Sequence, residues 1–117
     1  MKKYKYLILV ILLIGSFFLS GNMNREKGIE IGDKLPSFSL LDQNGELFSS
    51  GDYIGKTAMV IYFYPKDDTS GCTKEACKFR DNYEDFTDLE VKIIGISGDS
   101  VESHKNFADK YNLPFTL

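Results

Sequence analysis

The sequence predicts an α/β fold, built as a β-hairpin followed by strand, helix, strand and helix. Three observations carry that prediction. Positions 58–64, AMVIYFY, are apolar or aromatic throughout and stop at Pro65, which fits a central strand buried on both faces of a parallel sheet. Past a turn at 66–71, Cys72, Ala76, Phe79, Tyr83 and Phe86 recur at spacings of four, three, four and three, the apolar face of one helix. Val91, Ile93, Ile94 and Ile96 then supply a second β-branched run. Strand, helix and strand in this order imply a right-handed crossover between parallel neighbours.

The amino terminus is a separate object. Lys2, Lys3 and Lys5 precede an uncharged apolar run over 6–19, the pattern of a signal peptide. The run falls short of the roughly 20 residues a spanning helix needs, which favours cleavage. Phe18 or Leu19, however, falls where a cleavage site wants a small residue, so a membrane anchor through 6–19 stays open. Residues 1–20 are thus a signal peptide or an anchor, and both place the protein outside the cytoplasm. No cysteine lies directly after the run to carry a lipid.

Residues 21–29 read as a linker, with Gly21, Asn22, Asn24 and Gly28 breaking any periodicity, and the domain spans 30–117. Its hairpin starts where Phe38 and Leu40 alternate with serines, turns at Asp42-Gln43-Asn44-Gly45 and returns through Leu47 and Phe48. Asp99, with Glu102 three residues on, marks the start of a last helix carrying Val101, Phe107, Ala108 and Tyr111, which Pro114 closes. At 114–117 a further strand begins just as the sequence stops, so the domain reads as truncated.

A chain of 117 residues, 43% hydrophobic and 26% charged, suits one small globular domain and neither a disordered nor a collagen-like polymer. All 17 acidic residues lie beyond position 21. Of 14 basic residues, three belong to the first 20, which leaves 11 against 17 and a balance of −6 in the remainder. That charge argues against nucleic acid as a partner.

The two cysteines are the candidate chemistry. Cys72 falls where the central strand has ended and a helix begins, behind Thr69-Ser70-Gly71, any of which can cap the first turn. Unpaired N–H groups and the positive end of a helix dipole stabilise a thiolate and raise the fraction of sulfur able to attack. The carboxyl end of a central strand is also where open α/β sheets form their ligand crevice.

Cys77 lies five residues on, a rise of about 7.5 Å and a rotation of roughly 140° in an ideal helix. A disulfide needs Cα atoms within about 7 Å, so bonding these two requires the helix to unwind locally. The C-x-x-x-x-C spacing also differs from the C-x-x-C of dithiol oxidoreductases. Zinc would need four ligands, and beyond two cysteines the chain offers only His104, which reads as an ordinary packed or surface residue. Two inert thiols, or a stabilising bridge in an exported domain, remain the alternatives at this point.

The stretch YFYPKDDTSGCTKEACKFRD at 62–81 resembles the peroxiredoxins, most closely their bacterioferritin-comigratory, or Q-type, branch. It holds the P-x-x-x-T-x-x-C motif as Pro65, Thr69 and Cys72, with the branch's second cysteine at Cys77. The segments GDKLPSFSLLDQNGE and VKIIGISGDSVESHKNFADKY are similar to the same branch. The resemblance implies a thioredoxin-like fold, with Cys72 as peroxidatic thiolate and Cys77 as resolving cysteine. It implies that the Thr69 hydroxyl hydrogen-bonds the peroxide and that Pro65 walls the pocket against water.

The implied activity is a thiol peroxidase that reduces hydrogen peroxide and organic hydroperoxides through a sulfenic acid and an intramolecular disulfide. A thioredoxin-like reductant would recycle it, with no metal or other cofactor, and a resolving cysteine in the same chain permits a monomer. Two departures stand out. Ser70 replaces a common proline, which a turn absorbs. The family's active-site arginine comes from a later strand, and neither Arg25 nor Arg80 matches it. The competing readings are therefore a thiol-disulfide exchange or redox-sensing protein, and an inactive truncated fragment.

Overall fold

The computed structural model describes residues 27–117. The signal or anchor at 1–20 and the linker up to residue 26 lie outside the described residues. The chain divides into two units, Met1–Asp33 and Lys34–Leu117. Of the first, the described part is an exposed turn in which the Glu30 amide donates to Asp33 Oδ2 at 2.8 Å. Among the described residues no helix is long and apolar enough to cross a membrane.

The second unit opens with the expected hairpin, strands β1 (Ser39–Leu41) and β2 (Leu47–Ser49), paired antiparallel with Leu40 opposite Phe48. Its turn is organised by the Asp42 carboxylate, which accepts from the amides of Asn44 and Glu46 at 2.8 and 2.9 Å, while Gly45 takes a φ of 76°. The hairpin packs through Phe48, stacked on Tyr53 at 5.3 Å, and leaves Leu47 exposed. Gln43 ties the turn to the end of the chain, donating to the Phe115 carbonyl at 2.8 Å and accepting from the Leu117 amide at 3.0 Å.

Strands β3 (Ala58–Phe63) and β4 (Val91–Ile96) pair in parallel, with Tyr62 beside Gly95. Between them run helices α1 (Ser70–Asp81) and α2 (Tyr83–Asp88). The single apolar helix expected over 72–86 is thus two: Asn82 leaves the helical region at φ −107° and ψ 16°, and its side chain donates back to the Lys78 carbonyl. The apolar face nevertheless continues across the break, with Phe79 and Phe86 rings 5.9 Å apart.

The β3 strand is not buried on both faces. Tyr62 and Tyr64 point into the core, against Phe79 of α1 and Phe107 of the last helix, whereas Phe63 on the opposite face is 77% exposed. The apolar run 58–64 carries no alternation from which this asymmetry could be read. Thr116 forms a parallel bridge to Ile94, and its carbonyl accepts from the Gly95 amide at 2.9 Å, so the chain's last residues lie alongside β4 as a strand start.

Helix α3 (Val101–Tyr111) begins one residue later than Asp99 and Glu102 suggested. Its cap is Ser100, whose Oγ accepts from the Ser103 amide at 3.1 Å. Asp99 is drawn away to accept from the Asp67 amide at 2.8 Å and the Ser97 hydroxyl at 2.6 Å. The helix ends at Tyr111 because Asn112 adopts a left-handed conformation, two residues before Pro114. Tyr62, Tyr64, Cys72, Ala76, Ile93 and Phe107 form the centre of the core.

Candidate functional site

β3 ends at Phe63 and α1 begins at Ser70; the six residues between them carry Pro65 and Thr69, and α1 carries Cys72 and Cys77. Thr69 occupies the N-cap position with extended backbone, its carbonyl accepting from the Thr73 amide at 2.8 Å. Its hydroxyl does not cap the helix. Instead Oγ1 donates to the Lys66 carbonyl at 2.9 Å. The first turn of α1, which contains Cys72, therefore has no side-chain acceptor for its N–H groups, and its partial positive charge remains available to an anion. With its proton committed to Lys66, Thr69 Oγ1 presents lone pairs as an acceptor.

Cys72 and Cys77 are both free thiols, Cys72 buried at 7% exposure and Cys77 half-buried. Both lie on the regular helix α1, as the spacing argument required for the reduced state. A cleft of about 760 Å³ runs along α1 and α2, from Gly71 past Glu75 and Phe79 to Phe86 and Leu89. Gly71 and Glu75 flank Cys72 along the helix, so this cleft borders the turn that carries Cys72. Pro65 is not part of its lining; the exposed proline lines a separate shallow depression with Phe63, Tyr64 and Ile96.

Under the turn sits a polar network that the sequence did not announce. Asp67, 7% exposed, accepts from Tyr64 Oη at 2.6 Å, from Ser103 Oγ at 2.8 Å and from His104 Nδ1 at 2.8 Å. His104 is thus a packed histidine, as expected, and it has a carboxylate partner. Burial first, then the hydrogen bond and charge of Asp67, push the Tyr64 phenol well above its usual range. Asp67 falls inside the P-x-x-x-T-x-x-C spacing at a position the motif leaves open, and its donors come from 64, 103 and 104, separations that no local periodicity reveals.

Asp67, Asp99 and His104 each bring a ligand-type atom within 4.8 Å of the others. Those oxygens already accept from Tyr64, Ser97, Ser103 and the Asp67 amide, so the cluster is satisfied by protein donors. Arg80 is also committed: it donates to the Tyr111 carbonyl at 2.8 Å and pairs with Asp81 at 3.0 Å. It has no place at the Cys72 turn, in agreement with the sequence reading. Arg25 lies outside the described residues.

Tyr62 is the other notable neighbour of the site. Its hydroxyl is buried and, among the described residues, makes no hydrogen bond. Burial, reinforced by the charges of Glu75, Cys72 and Asp67, pushes its phenol well above the ordinary value, so it stays protonated.

The AhpC/TSA family model matches residues 31–117. The chain is 54% identical over 89 residues to the putative peroxiredoxin bcp of Coxiella burnetii, an alignment covering 76% of this chain and 58% of that protein. It is likewise 54% identical over 89 residues to peroxiredoxin Bcp of Bacillus subtilis, covering 76% of this chain and 56% of the relative. The crystal structure of peroxidoxin BcpB from Mycobacterium tuberculosis superposes with a TM-score of 0.73 at 34% identity, over 77% of this chain and 58% of that one. The chain therefore spans just over half the length of these relatives. A helix-borne Cys72 behind Thr69, on a thioredoxin-type α/β core that matches along its whole described domain, places the chain in the AhpC/TSA family, in its bacterioferritin-comigratory or Q-type branch.

Proposed function

We propose that the chain works as a thiol peroxidase, with Cys72 as the attacking sulfur and Cys77 as the resolving one. The observation that carries this reading is the start of α1: Cys72 lies in its first turn, the N–H groups there have no side-chain cap, and the Thr69 hydroxyl at the N-cap is oriented as an acceptor. A thiolate there would attack the terminal oxygen of a hydroperoxide. One S–O bond forms, the O–O bond breaks, and the departing alkoxide or hydroxide takes a proton to leave as alcohol or water. The N–H groups steady the charge as it passes to the leaving oxygen, and Thr69 Oγ1 accepts from the peroxide O–H.

The sulfenic acid on Cys72 is then attacked by the Cys77 sulfur. An S–S bond forms, the S–O bond breaks, and hydroxide leaves as water. Because both cysteines lie on α1, this step requires the helix to unwind between them. A dithiol of the thioredoxin type supplies the two electrons and two protons that restore both thiols. Pro65 would join the wall of the peroxide site only with groups from outside the cleft described above. The lysines at 2, 3 and 5 with the apolar run at 6–19 support export or membrane anchoring, and a resolving cysteine in the same chain needs no second copy.

Peroxide consumption by the full chain, with thioredoxin, its reductase and NADPH, tests the proposal. Cys72→Ser abolishes turnover if the reading holds, and turnover retained without Cys72 contradicts it. Slow reaction with peroxide, combined with mixed disulfides to other proteins trapped by Cys77→Ser, would instead identify a thiol-disulfide exchange protein.

A further inference from the structure

We infer that Asp67 is a positioning residue for the Cys72 chemistry, clamping the turn between β3 and α1 against one face of α3 so that Thr69 keeps its place at the N-cap of the helix that carries Cys72. The inference rests on the peroxidase reading and goes beyond it, because the motif Pro65, Thr69 and Cys72 assigns Asp67 no role.

Four observations converge. Asp67 is a buried carboxylate with both oxygens engaged, Oδ1 by Tyr64 at the end of β3 and Oδ2 by Ser103 and His104 of α3. Its own amide donates to Asp99 in the loop that leads into α3. The next residue, Asp68, holds a left-handed φ of 55° and accepts from Lys110 Nζ at 2.7 Å and Tyr111 Oη at 2.6 Å. The preceding residue, Lys66, offers the carbonyl to which the Thr69 hydroxyl donates.

The spacing on α3 gives these contacts a common frame. Ser103 and Lys110, like His104 and Tyr111, are seven residues apart, so two turns of one helical face receive Asp67 and Asp68 in succession. The turn is thereby fixed at two points about 10 Å apart along a rigid element. A buried carboxylate adds little net stability over an apolar side chain of similar volume, because desolvation offsets its hydrogen bonds. What it supplies is direction: three donors from two elements leave one orientation for residue 67, hence for the Lys66 carbonyl, hence for Thr69 Oγ1. Attack on a peroxide is sensitive to such alignment, since displacement of a reacting group by about 1 Å can cost about 100-fold in rate.

The test uses the full chain and compares two reactions of Cys72 with one measurement of the turn. Peroxide oxidation needs both thiolate and aligned acceptor, alkylation by iodoacetamide needs only the thiolate, and exchange of the Thr73 amide reports the bond to Thr69. In Asp67→Asn, oxidation slows about 10- to 100-fold, alkylation changes by less than about threefold, and Thr73 exchanges about tenfold faster. Ser103→Ala removes one donor and moves oxidation and exchange the same way by a smaller factor; it decides the matter if Asp67→Asn does not fold. Oxidation at the parent rate, or oxidation and alkylation falling together, overturns the inference, and so does unchanged Thr73 exchange. A parent chain whose Cys72 oxidises no faster than a free thiol counts against the peroxidase reading, while the exchange comparison still decides the clamp.

Discussion

Gly95 of β4 lies directly under the Tyr62 ring of its parallel neighbour, so close that a Cβ there would sit 2.9 Å from both Tyr62 Cζ and Oη. The same Cβ would meet Leu117 Cδ2 at 2.9 Å. Gly95 is thus the position where the central aromatic residue and the end of the chain share one site. Gly95→Ala is expected to cost about 1–3 kcal/mol, since ring and leucine are both buried and cannot yield. Urea unfolding of the two proteins measures it.

Tyr62 itself gives a prediction of opposite sign. Its hydroxyl is buried without a partner among the described residues. Removing it in Tyr62→Phe relieves the desolvation of an unpaired donor at nearly constant volume, so stability should rise by about 1 kcal/mol. A fall in the urea midpoint would mean that the hydroxyl has a partner in the folded protein.

Acid stability should depend on Asp99. The Ser97 hydroxyl first, and then the Asp67 amide, hold its carboxyl below the ordinary value of 3.8 against the opposing effect of burial. A carboxyl lowered in the folded state stabilises the fold above its unfolded value, and that contribution disappears as pH falls through the folded value. Asp99→Asn should therefore be less stable than the parent near neutral pH, with the gap narrowing below about pH 4. Thermal melts between pH 7 and pH 3 provide the comparison, and a gap independent of pH would assign the effect to packing.

The cap of α3 belongs to Ser100, so Ser100→Ala should cost about 1 kcal/mol while leaving the thiol chemistry of Cys72 unchanged. Denaturant midpoints measure the first quantity and iodoacetamide alkylation the second.

Most of the fold was legible because its signals are local. The apolar run at 58–64, the helical spacing from Cys72 and the β-branched run at 91–96 each identify an element from neighbouring residues, and their order implies the parallel pair. Errors arose where a side-chain hydrogen bond or tertiary packing overrode the apolar pattern. Asp99 looks like a helix cap until the Asp67 amide, 32 residues away in sequence, captures its carboxylate. Asn82 ends α1 by bonding back to Lys78, which the apolar spacing of Phe79, Tyr83 and Phe86 does not register. The exposure of Phe63 was hidden in a uniformly apolar run.

The site shows the same division. Motif spacing singled out Pro65, Thr69, Cys72 and Cys77 as candidates, and Thr69 and Cys72 fall at the N-cap and in the first turn of α1. The contacts of Asp67 and Asp68 were invisible because their partners on α3 lie 36 to 43 positions on. Acidic residues in a turn ordinarily read as solvated, and only tertiary packing shows one of them to be buried.

The most direct test of the account is the oxidation of Cys72 by hydrogen peroxide in the full reduced chain, followed by intact mass. The account predicts oxidation much faster than that of an ordinary free thiol, ending in loss of two hydrogens as the Cys72–Cys77 disulfide forms; in Cys77→Ser it should stop at gain of one oxygen. A folded chain whose Cys72 reacts no faster than an unactivated thiol would contradict it.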